Sequence, residues 1–526
     1  MAHAPDHGHG VGGDVASCNA DQRCAVLFPA THLLSSSLQR PISGAARRVA
    51  GVVTLLFFCI LQVQAAWSET RPLVTDVLPS GVPLPAPAPA FEPPLEDPNA
   101  ELLGDAYGVR PWLRHYGVHL NIQDVEELWG LAAGGLHPGP TYDGITAVTL
   151  QIETDPLFGW QNGLLNVSAL QIRGRSFTGE RLQALNSVSG YDVGRSTRLF
   201  EIWYGQGFLS NSLDLRVGSI DLDTEFLVSS SASFFLNASF GWPLSTSSNL
   251  YSGGPSWPFS AVGGRVKWSP ASPFVLMGAV TNDNPTHGPF YSNIAATQRD
   301  PSGTSFSTAG GALFMGEAQY QMNMAPRRAS GKEAGLPGTW KIGGLYDTGH
   351  FPDQRYGSHR VPLASPESSG TPLYHRGNWL AYAVVDQMIW RDSRDARKTI
   401  NIFMRATTSD TVRNIFAHEV QAGVTFDGMI RGHRDDTIGV AWGTSFYTTS
   451  AEAHARDAIR FGTSTTGQLR QEHHVEITYQ AAMTPWLILQ PDFQYFRNVG
   501  GTSLSSETGR PVRDGFVLGL NMTTTL

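Results

Sequence analysis

The segment that decides the fold is FEIWYGQGFLSNSLDLRVGSIDLDTEF, residues 200–226. In its first half the side chains alternate, with Phe200, Ile202 and Tyr204 on one face and Glu201 and Trp203 on the other. A short connection, GFLSNS, follows, and the alternation then resumes with Leu213, Leu215 and Val217 opposite Asp214 and Arg216. A period of two on both sides of a short connection predicts two antiparallel strands.

The same alternation continues from Val118 to the last residue and predicts an all-β protein of about sixteen strands. The connections between them alternate between short ones and long ones rich in Ser, Gly, Asn and Pro; the long ones include 176–196, 221–259, 281–310, 348–378 and 447–470. The predicted strands are 118–127, 144–154, 164–175, 197–206, 213–220, 260–268, 274–280, 311–322, 339–347, 379–390, 398–406, 418–426, 437–446, 471–481, 486–495 and 515–526.

The apolar faces of these strands predict a membrane barrel. Sixteen strands enclose an aqueous lumen, so the apolar face of each strand has to meet lipid outside. A charge on the lipid face would cost about 2 to 4 kcal/mol at mid-membrane, whereas a wet lumen tolerates it. We therefore expect Phe200, Ile202 and Tyr204 to face lipid. Other predicted outward residues are Ile400, Ile402, Met404, Ala406, Ile438, Val440, Trp442, Phe516, Leu518, Leu520 and Met522; the charged residues expected in the lumen are Glu153, Glu201, Arg216, Arg265, Lys267, Glu317, Lys341 and Glu476.

The N-terminal part is predicted to be a targeting segment rather than part of the fold. Residues 1–65 contain Arg47 and Arg48, then an apolar stretch, then small residues ending at Ala65, which is typical of a secretory signal peptide, here with a long n-region. Residues 66–103 are rich in proline and predict a flexible segment before a barrel domain at 104–526. The three cysteines all lie before residue 66, so the mature chain would have no disulfide.

Composition and local motifs argue against several other functions. The chain carries a net charge of −8 without a basic run, which argues against nucleic-acid binding. His473 and His474 would point to opposite faces of a strand, so they are not expected to share a metal ion. We predict no catalytic residue, no metal site and no cofactor, because no nucleophile setting such as GxSxG is evident.

The motifs RLFEIWYGQGF, LDLRVGSIDLDTEF, FLNASFGWP and SWPFSAVGGRVKWSP resemble the carbohydrate-selective porins of the bacterial outer membrane. The resemblance covers about residues 104–526. It implies a sixteen-stranded barrel in the outer membrane that passes sugars such as glucose by facilitated diffusion. It also implies outer-membrane lipid and the barrel-assembly machinery as partners, and a homo-oligomer is compatible with it. Two positions depart from the family pattern, since this chain has Gly205 in place of Glu and ends in Leu526 rather than an aromatic residue.

Charged and aromatic residues near the start of the barrel are candidates for a sugar site. We expect Arg173, Glu201, Trp203, Arg216, Arg265 and Lys267 to line the pore. A wall network of ion pairs that only stiffens the barrel is the alternative for the charged ones.

The loop 221–259 is expected to enter the pore and narrow it, because it mixes aromatic and hydroxyl side chains. Its candidate constriction residues are Phe234, Phe235, Asn237 and Trp242. Two alternatives remain for this loop: its aromatic residues pack it against the wall, or the whole loop is an external lid or an oligomer contact.

Three functions remain open on the sequence. The first is a passive sugar channel. The second is an outer-membrane barrel for other small polar solutes, such as anions, or for an exported polymer. The third is a secreted, soluble all-β binding or enzyme domain.

Overall fold

The computed structural model describes residues 101–270, 273–323, 335–464, 468–501, 504–505 and 508–526. The predicted signal peptide, 1–65, and residues 66–100 of the proline-rich segment lie outside the described residues.

Sixteen antiparallel strands form one closed barrel in which each strand pairs with its neighbours in sequence and β16 closes onto β1. Closure pairs the backbone N–H and C=O groups of every strand on both edges, as a lipid-exposed sheet requires. The strands are β1 Val118–Gly135, β2 Gly139–Glu153, β3 Gly163–Gly174, β4 Ser196–Phe208, β5 Leu213–Ile220, β6 Ala261–Trp268, β7 Phe274–Asn282, β8 Ala312–Met322, β9 Gly338–Gly357, β10 Pro372–Arg391, β11 Thr399–Ser409, β12 Phe416–Asp427, β13 Thr437–Tyr447, β14 Glu472–Thr484, β15 Leu487–Arg497 and β16 Arg513–Thr525.

Each predicted strand is confirmed, and the main differences are in length. Strands β9 and β10 extend well beyond the predicted bounds and pair as far as Pro372 with Gly357. The predicted long connection 348–378 is therefore mostly a continuation of this hairpin. Strand β1 also continues to Gly135, so that only residues 136–138 join it to β2.

Helices are short and lie between or before the strands. Helix α1, Val109–His115, precedes the barrel, and its Arg110 contacts both Glu101 and the backbone carbonyl of Leu526. None of the helices within the described ranges is long and apolar enough to cross a membrane. The α-helices are α1 Val109–His115, α2 Thr154–Phe158, α3 Leu244–Ser247, α4 Ala296–Arg299 and α5 Thr449–Phe461.

The outer face of the barrel carries the predicted apolar band on most strands. Val217, Met404 and Leu518 are among its most exposed members, at 66, 57 and 56 %. On the inner side, a Cβ at Gly439 or Gly519 would collide with the ring of Phe234 or Trp129, respectively. The predicted assignment of the outer face is thus confirmed on strands β11, β13 and β16.

The prediction for Phe200 is wrong. Ile202 is outward, as expected, but Phe200 is 2 % exposed and packs inside the barrel. The register of β3 against β4 shifts between Ser168 and Ala169, which pair with Glu201 and Leu199 and leave Phe200 without a partner. This β-bulge changes the side-chain parity, so that the simple alternation fails at one residue of the deciding segment.

Candidate functional site

The connection between β5 and β6, residues 221–260, folds into the barrel and reaches the opposite wall; it is called the inward loop below. Its backbone N–H groups donate to inward carboxylates of distant strands. The Leu227 amide lies 2.8 Å from Glu317 on β8, and the Leu236 amide lies 2.6 Å from Glu476 on β14. The Ser245 amide also donates to Glu419 on β12, at 2.8 Å. Because a loop has few ladder partners for its amides, these carboxylates supply the missing acceptors and fix its course.

Arg405 on β11 supplies the opposite kind of anchor. Its guanidinium is 1 % exposed and donates to three loop carbonyls, those of Leu227 at 3.0 Å, Gly241 at 2.8 Å and Ser239 at 2.5 Å. The planar fork of arginine suits several acceptors at once. One wall residue therefore holds two separate parts of the inward loop.

The loop aromatics pack against the wall. Phe235 and Phe240 are each 1 % exposed, and their ring centroids lie 5.8 and 5.9 Å from that of Phe403 on β11. Phe234 is only partly buried and lines a cavity of about 370 Å³ together with Asp386 and other residues. Of the predicted aromatic residues, Phe234 is thus placed beside open space.

Two other predicted loop residues are also fully enclosed. Trp242 is 0 % exposed and its Nε1 donates to the Gly253 carbonyl at 2.9 Å. Asn237 is 0 % exposed, donates to Gln494 at 2.9 Å and accepts from the Ser239 amide at 3.1 Å. With Phe235, these side chains support the loop from within and do not present a free surface to a solute.

The wall opposite these anchors carries a charged and aromatic cluster on β4, β5 and β6. The Arg216 guanidinium lies 4.2 Å from the ring centroid of Trp203 and donates to Glu225 of the inward loop at 2.7 Å. Arg265 donates to the same carboxylate at 2.9 Å and also contacts Asp214. A cation stacked on an aromatic ring and held by a carboxylate has a fixed orientation. We call Trp203, Arg216, Glu225 and Arg265 the arginine cluster.

The remaining predicted residues lie around this cluster. Lys267 is on the inward face of β6, and its backbone pairs with Asp214. Glu201 accepts from the amide of Asp221, the first residue of the inward loop, at 3.1 Å. The structure thus brings Glu201, Trp203, Arg216, Arg265 and Lys267 to one side of the lumen.

The acidic residues at the start of the inward loop differ in the direction in which their pKa values are shifted. Burial raises the pKa of Asp223 to about 6, and burial with the neighbouring Asp223 raises the pKa of Asp221 well above its ordinary value. Burial alone would raise the pKa of Glu225 as well, but Arg216 and Arg265 lower it below its ordinary value. Glu225 is therefore the carboxylate that stays ionised beside the arginines.

Gly205, one of the two departures from the family pattern, lies beside this cluster. A Cβ at this position would approach Cζ3 of Trp203 to 3.2 Å and Cγ of Arg216 to 3.6 Å. The absence of a side chain leaves room for the stacked ring and guanidinium. A larger residue would have to displace them.

A second loop inside the barrel was not singled out from the sequence. Residues 175–195 join β3 to β4, and the amides of Leu185 and Asn186 both donate to Glu472 on β14, each at 2.9 Å. Its apolar residues, among them Phe177 and Leu182, are fully buried. Apolar residues are unusual in a loop exposed to water, so this content could have predicted from the sequence that the loop lies inside the barrel. The aromatic content of the inward loop gave the same indication.

The predicted position of Arg173 is wrong. Its neighbour Ile172 is 3 % exposed and packs inside the barrel, whereas Arg173 points outward. A Cβ at Gly144, the residue paired with it, would face Glu126 and Arg173 on that outer side. The inner face of β1–β3 is apolar at this height because loop residues such as Trp257 pack against it. The polar side chains therefore take the outer face.

The two histidines point to opposite faces, as predicted. His474 is buried inside the barrel, with Nε2 at 2.8 Å from the Ser239 hydroxyl, while His473 stacks on the outward Trp442. Within the described ranges no cluster of three or more His, Cys, Asp or Glu side chains is arranged to hold a metal ion.

Comparison with known proteins gives a consistent result. Residues 137–526 match the model of the carbohydrate-selective porin, OprB family. The chain is 23 % identical over 439 residues to Porin B of Pseudomonas aeruginosa, covering 77 % of this chain and 88 % of that protein. A solved high-pH structure of Pseudomonas putida OprB superposes with a TM-score of 0.69 at 20 % identity, covering 81 % of this chain and 99 % of that one.

Proposed function

Because the chain belongs to the OprB family of carbohydrate-selective porins, we propose that the arginine cluster and the inward loop together form the sugar-selective constriction of its channel. The protein is an outer-membrane sugar porin, a channel rather than an enzyme. The observation that carries the proposal is the contact of Glu225 on the loop with Arg216 and Arg265 on the wall.

The cluster suits a hydroxylated solute. A guanidinium has five N–H donors, so that Arg216 can hold Glu225 and still donate to a sugar hydroxyl. The neighbouring carboxylates Glu225 and Glu201 accept hydrogen bonds from hydroxyls. Groups that protein contacts already hold rigidly lose little entropy when a solute passes, and their remaining donors and acceptors can replace the hydrogen bonds of its hydration shell.

The size of the solute follows from the loop. Two loops fill much of the lumen. Because Phe235 and Trp242 are buried, neither ring is available to stack on a sugar. We propose that these residues keep the loop rigid and that the opening admits monosaccharides such as glucose better than larger sugars. Phe234, beside the 370 Å³ cavity, is the loop aromatic that offers contact to a passing solute.

Small anions are a less suitable cargo. The inward loop begins with Asp221, Asp223 and Glu225, and Glu201 lies beside them. Glu225 already pairs with both Arg216 and Arg265, so these cations offer an anion little net attraction beyond what a neutral sugar receives. The same reasoning disfavours an exported acidic polymer.

Residues 1–65 are proposed to direct export and to be removed, so that the mature chain begins near Ala66. Outer-membrane lipid and the barrel-assembly machinery are the expected partners during insertion. N-terminal sequencing of the protein recovered from outer membranes tests this proposal, and retention of Cys59 in the mature chain would contradict it.

Liposome swelling tests the proposed cargo. Vesicles containing the purified protein should swell faster in an isosmotic monosaccharide than in a disaccharide or in a sugar acid. Arg216→Gln should reduce the preference among these solutes, whereas Arg397→Gln, on the exposed connection 392–398, should leave it unchanged. Equal swelling rates for all solutes would refute sugar selectivity.

A further inference from the structure

We infer that a cavity of about 260 Å³ at the extracellular end of the barrel is a second sugar site, which holds a neutral monosaccharide before it reaches the arginine cluster. The inference rests on the proposed function for the class of ligand. It stands on different residues, since the lining of this cavity shares none with the arginine cluster. We call it the entry cavity.

The strand topology places the entry cavity at the extracellular end. In an antiparallel barrel the connections that follow odd-numbered strands all lie at one end, and the long connections of an outer-membrane barrel are extracellular. The lining comes from four connections of this kind, which are 175–195, the inward loop, 283–311 and 410–415. The cavity therefore lies on the side from which a solute enters the channel.

One side of the entry cavity carries a carboxylate with an unused oxygen. Asp192 is 4 % exposed, and its Oδ2 accepts from the Thr178 amide at 2.7 Å. Its Oδ1 has no hydrogen-bond partner among the described residues. A buried acceptor without a partner costs about 1 to 3 kcal/mol. Asp192 is therefore suited to accept a hydrogen bond from a hydroxyl group of a ligand.

Arg299 supplies donors to the same cavity. Its Nη2 donates to the hydroxyls of Ser252 at 2.8 Å and Thr286 at 3.1 Å, and its Nη1 donates to the carbonyl of Ile294 at 2.7 Å. These contacts fix the guanidinium between the inward loop and the connection 283–311. Because each Nη carries two N–H groups, Nη1 can also donate to a ligand.

Aromatic rings form part of the apolar lining. The ring of Phe290 makes T-shaped contacts with Tyr251 and Tyr291, whose centroids lie 5.2 and 5.0 Å away. The hydroxyl of Tyr291 donates to Gln354 at 2.9 Å, which holds this second ring in place. The negative face of an aromatic ring attracts the C–H groups of a sugar ring.

Charge and volume both favour a small neutral ligand. Of the described residues that line the cavity, only Asp192 and Arg299 are charged, so the lining has no net charge. Hydroxyl groups are contributed by Ser176, Ser248 and Thr297. Aromatic lining with a few placed polar groups is typical of small-molecule sites, and pockets for drug-sized ligands measure about 300 to 1,000 Å³. A cavity of about 260 Å³ therefore suits a single sugar ring.

Protection of an introduced cysteine tests the inference. In a background in which Cys18, Cys24 and Cys59 are replaced by alanine, Asn293→Cys places a thiol on the exposed part of the lining. Glucose should slow the reaction of this thiol with a methanethiosulfonate reagent, and the effect should saturate. Ser369→Cys, on the exposed β9–β10 connection at the same end, is the control and should react equally fast with and without glucose.

Two further variants link the protection to the entry cavity. Asp192→Asn keeps an oxygen for the Thr178 amide but turns an NH₂ group into the cavity. The glucose concentration for half protection should then rise about tenfold, the loss expected for one hydrogen bond to a charged acceptor. Tyr291→Ala, which removes a ring that is 52 % exposed, should also raise it. Glu367→Gln, at an exposed carboxylate of the same end, should leave it unchanged.

The outcomes separate the entry cavity from the constriction. Arg216→Gln should leave protection at position 293 unchanged, because Arg216 is not part of the lining. Loss of protection in Arg216→Gln would show that glucose acts from the constriction and would overturn the inference. Absence of protection at position 293 in a channel whose current glucose blocks would also overturn it and leave the proposed function standing. So would wild-type half protection in both Asp192→Asn and Tyr291→Ala, provided that each retains the heat-dependent gel shift of a folded barrel.

Discussion

Replacing Arg405 with methionine should release the inward loop without opening the barrel. The side chain donates to the carbonyls of Leu227, Ser239 and Gly241. A hydrogen bond from a charged donor contributes about 1.5 to 3 kcal/mol, and a buried acceptor left without a partner costs about 1 to 3 kcal/mol. Since water in the lumen can satisfy part of the exposed carbonyls, we expect loop docking to weaken by about 3 kcal/mol.

Hydrogen exchange measures this change directly. Peptides from residues 221–260 should lose about a hundredfold in protection, because each factor of ten corresponds to about 1.4 kcal/mol. Peptides from the strands should change little, and single-channel current should become noisier. Arg397→Met, at an arginine whose side chain is 54 % exposed, is the matched control and should behave like wild type. Unchanged exchange in the loop of Arg405→Met would refute the assignment of Arg405 as an anchor.

Three other predictions test the loop and the arginine cluster. Deleting residues 229–252 should raise ion conductance and lower discrimination among sugars in planar bilayers; a change in oligomeric state alone would identify the loop as an interface. Docking of the loop should weaken as the pH rises from about 4 to 7, since the raised pKa of Asp223 makes its ionisation cost about 3 kcal/mol in the docked state; loop exchange corrected for intrinsic rates should show this dependence, and Asp223→Asn should reduce it, with the remainder due to Asp221, whose pKa is also raised. Gly205→Ala should shift the Trp203 ring by a few tenths of an ångström against Arg216 and weaken sugar block of the current, while Gly316→Ala, whose nearest new contact would be at 4.0 Å, should not.

The strands could be predicted from sequence because period two is imposed by the backbone and because lipid demands one apolar face. For β5 the predicted and observed bounds coincide. Leu213, Leu215 and Val217 alternate with Asp214 and Arg216, and no loop packs against this wall in a way that reverses the pattern.

Arg173 and Phe200 were mispredicted for a related reason. Strand residues that face the lumen are polar, and those that face outward apolar, only where the lumen contains water. Next to β1–β4 the lumen contains Tyr191, Val193 and Trp257 from the loops. Ile172 and Phe200 therefore pack inward against protein. Contacts between residues more than a hundred positions apart, such as Leu236 with Glu476, decide which loops enter the barrel. The periodicity of the sequence carries no information on such contacts.

The central claim is most directly tested by glucose block of single-channel current in planar bilayers, measured for wild type and for Arg216→Gln. We predict a saturable decrease of the wild-type ion current as glucose is added, and a clear shift to higher glucose concentration in the variant. An ion-conducting channel whose current is insensitive to glucose, or identical block curves for the two proteins, would contradict the account.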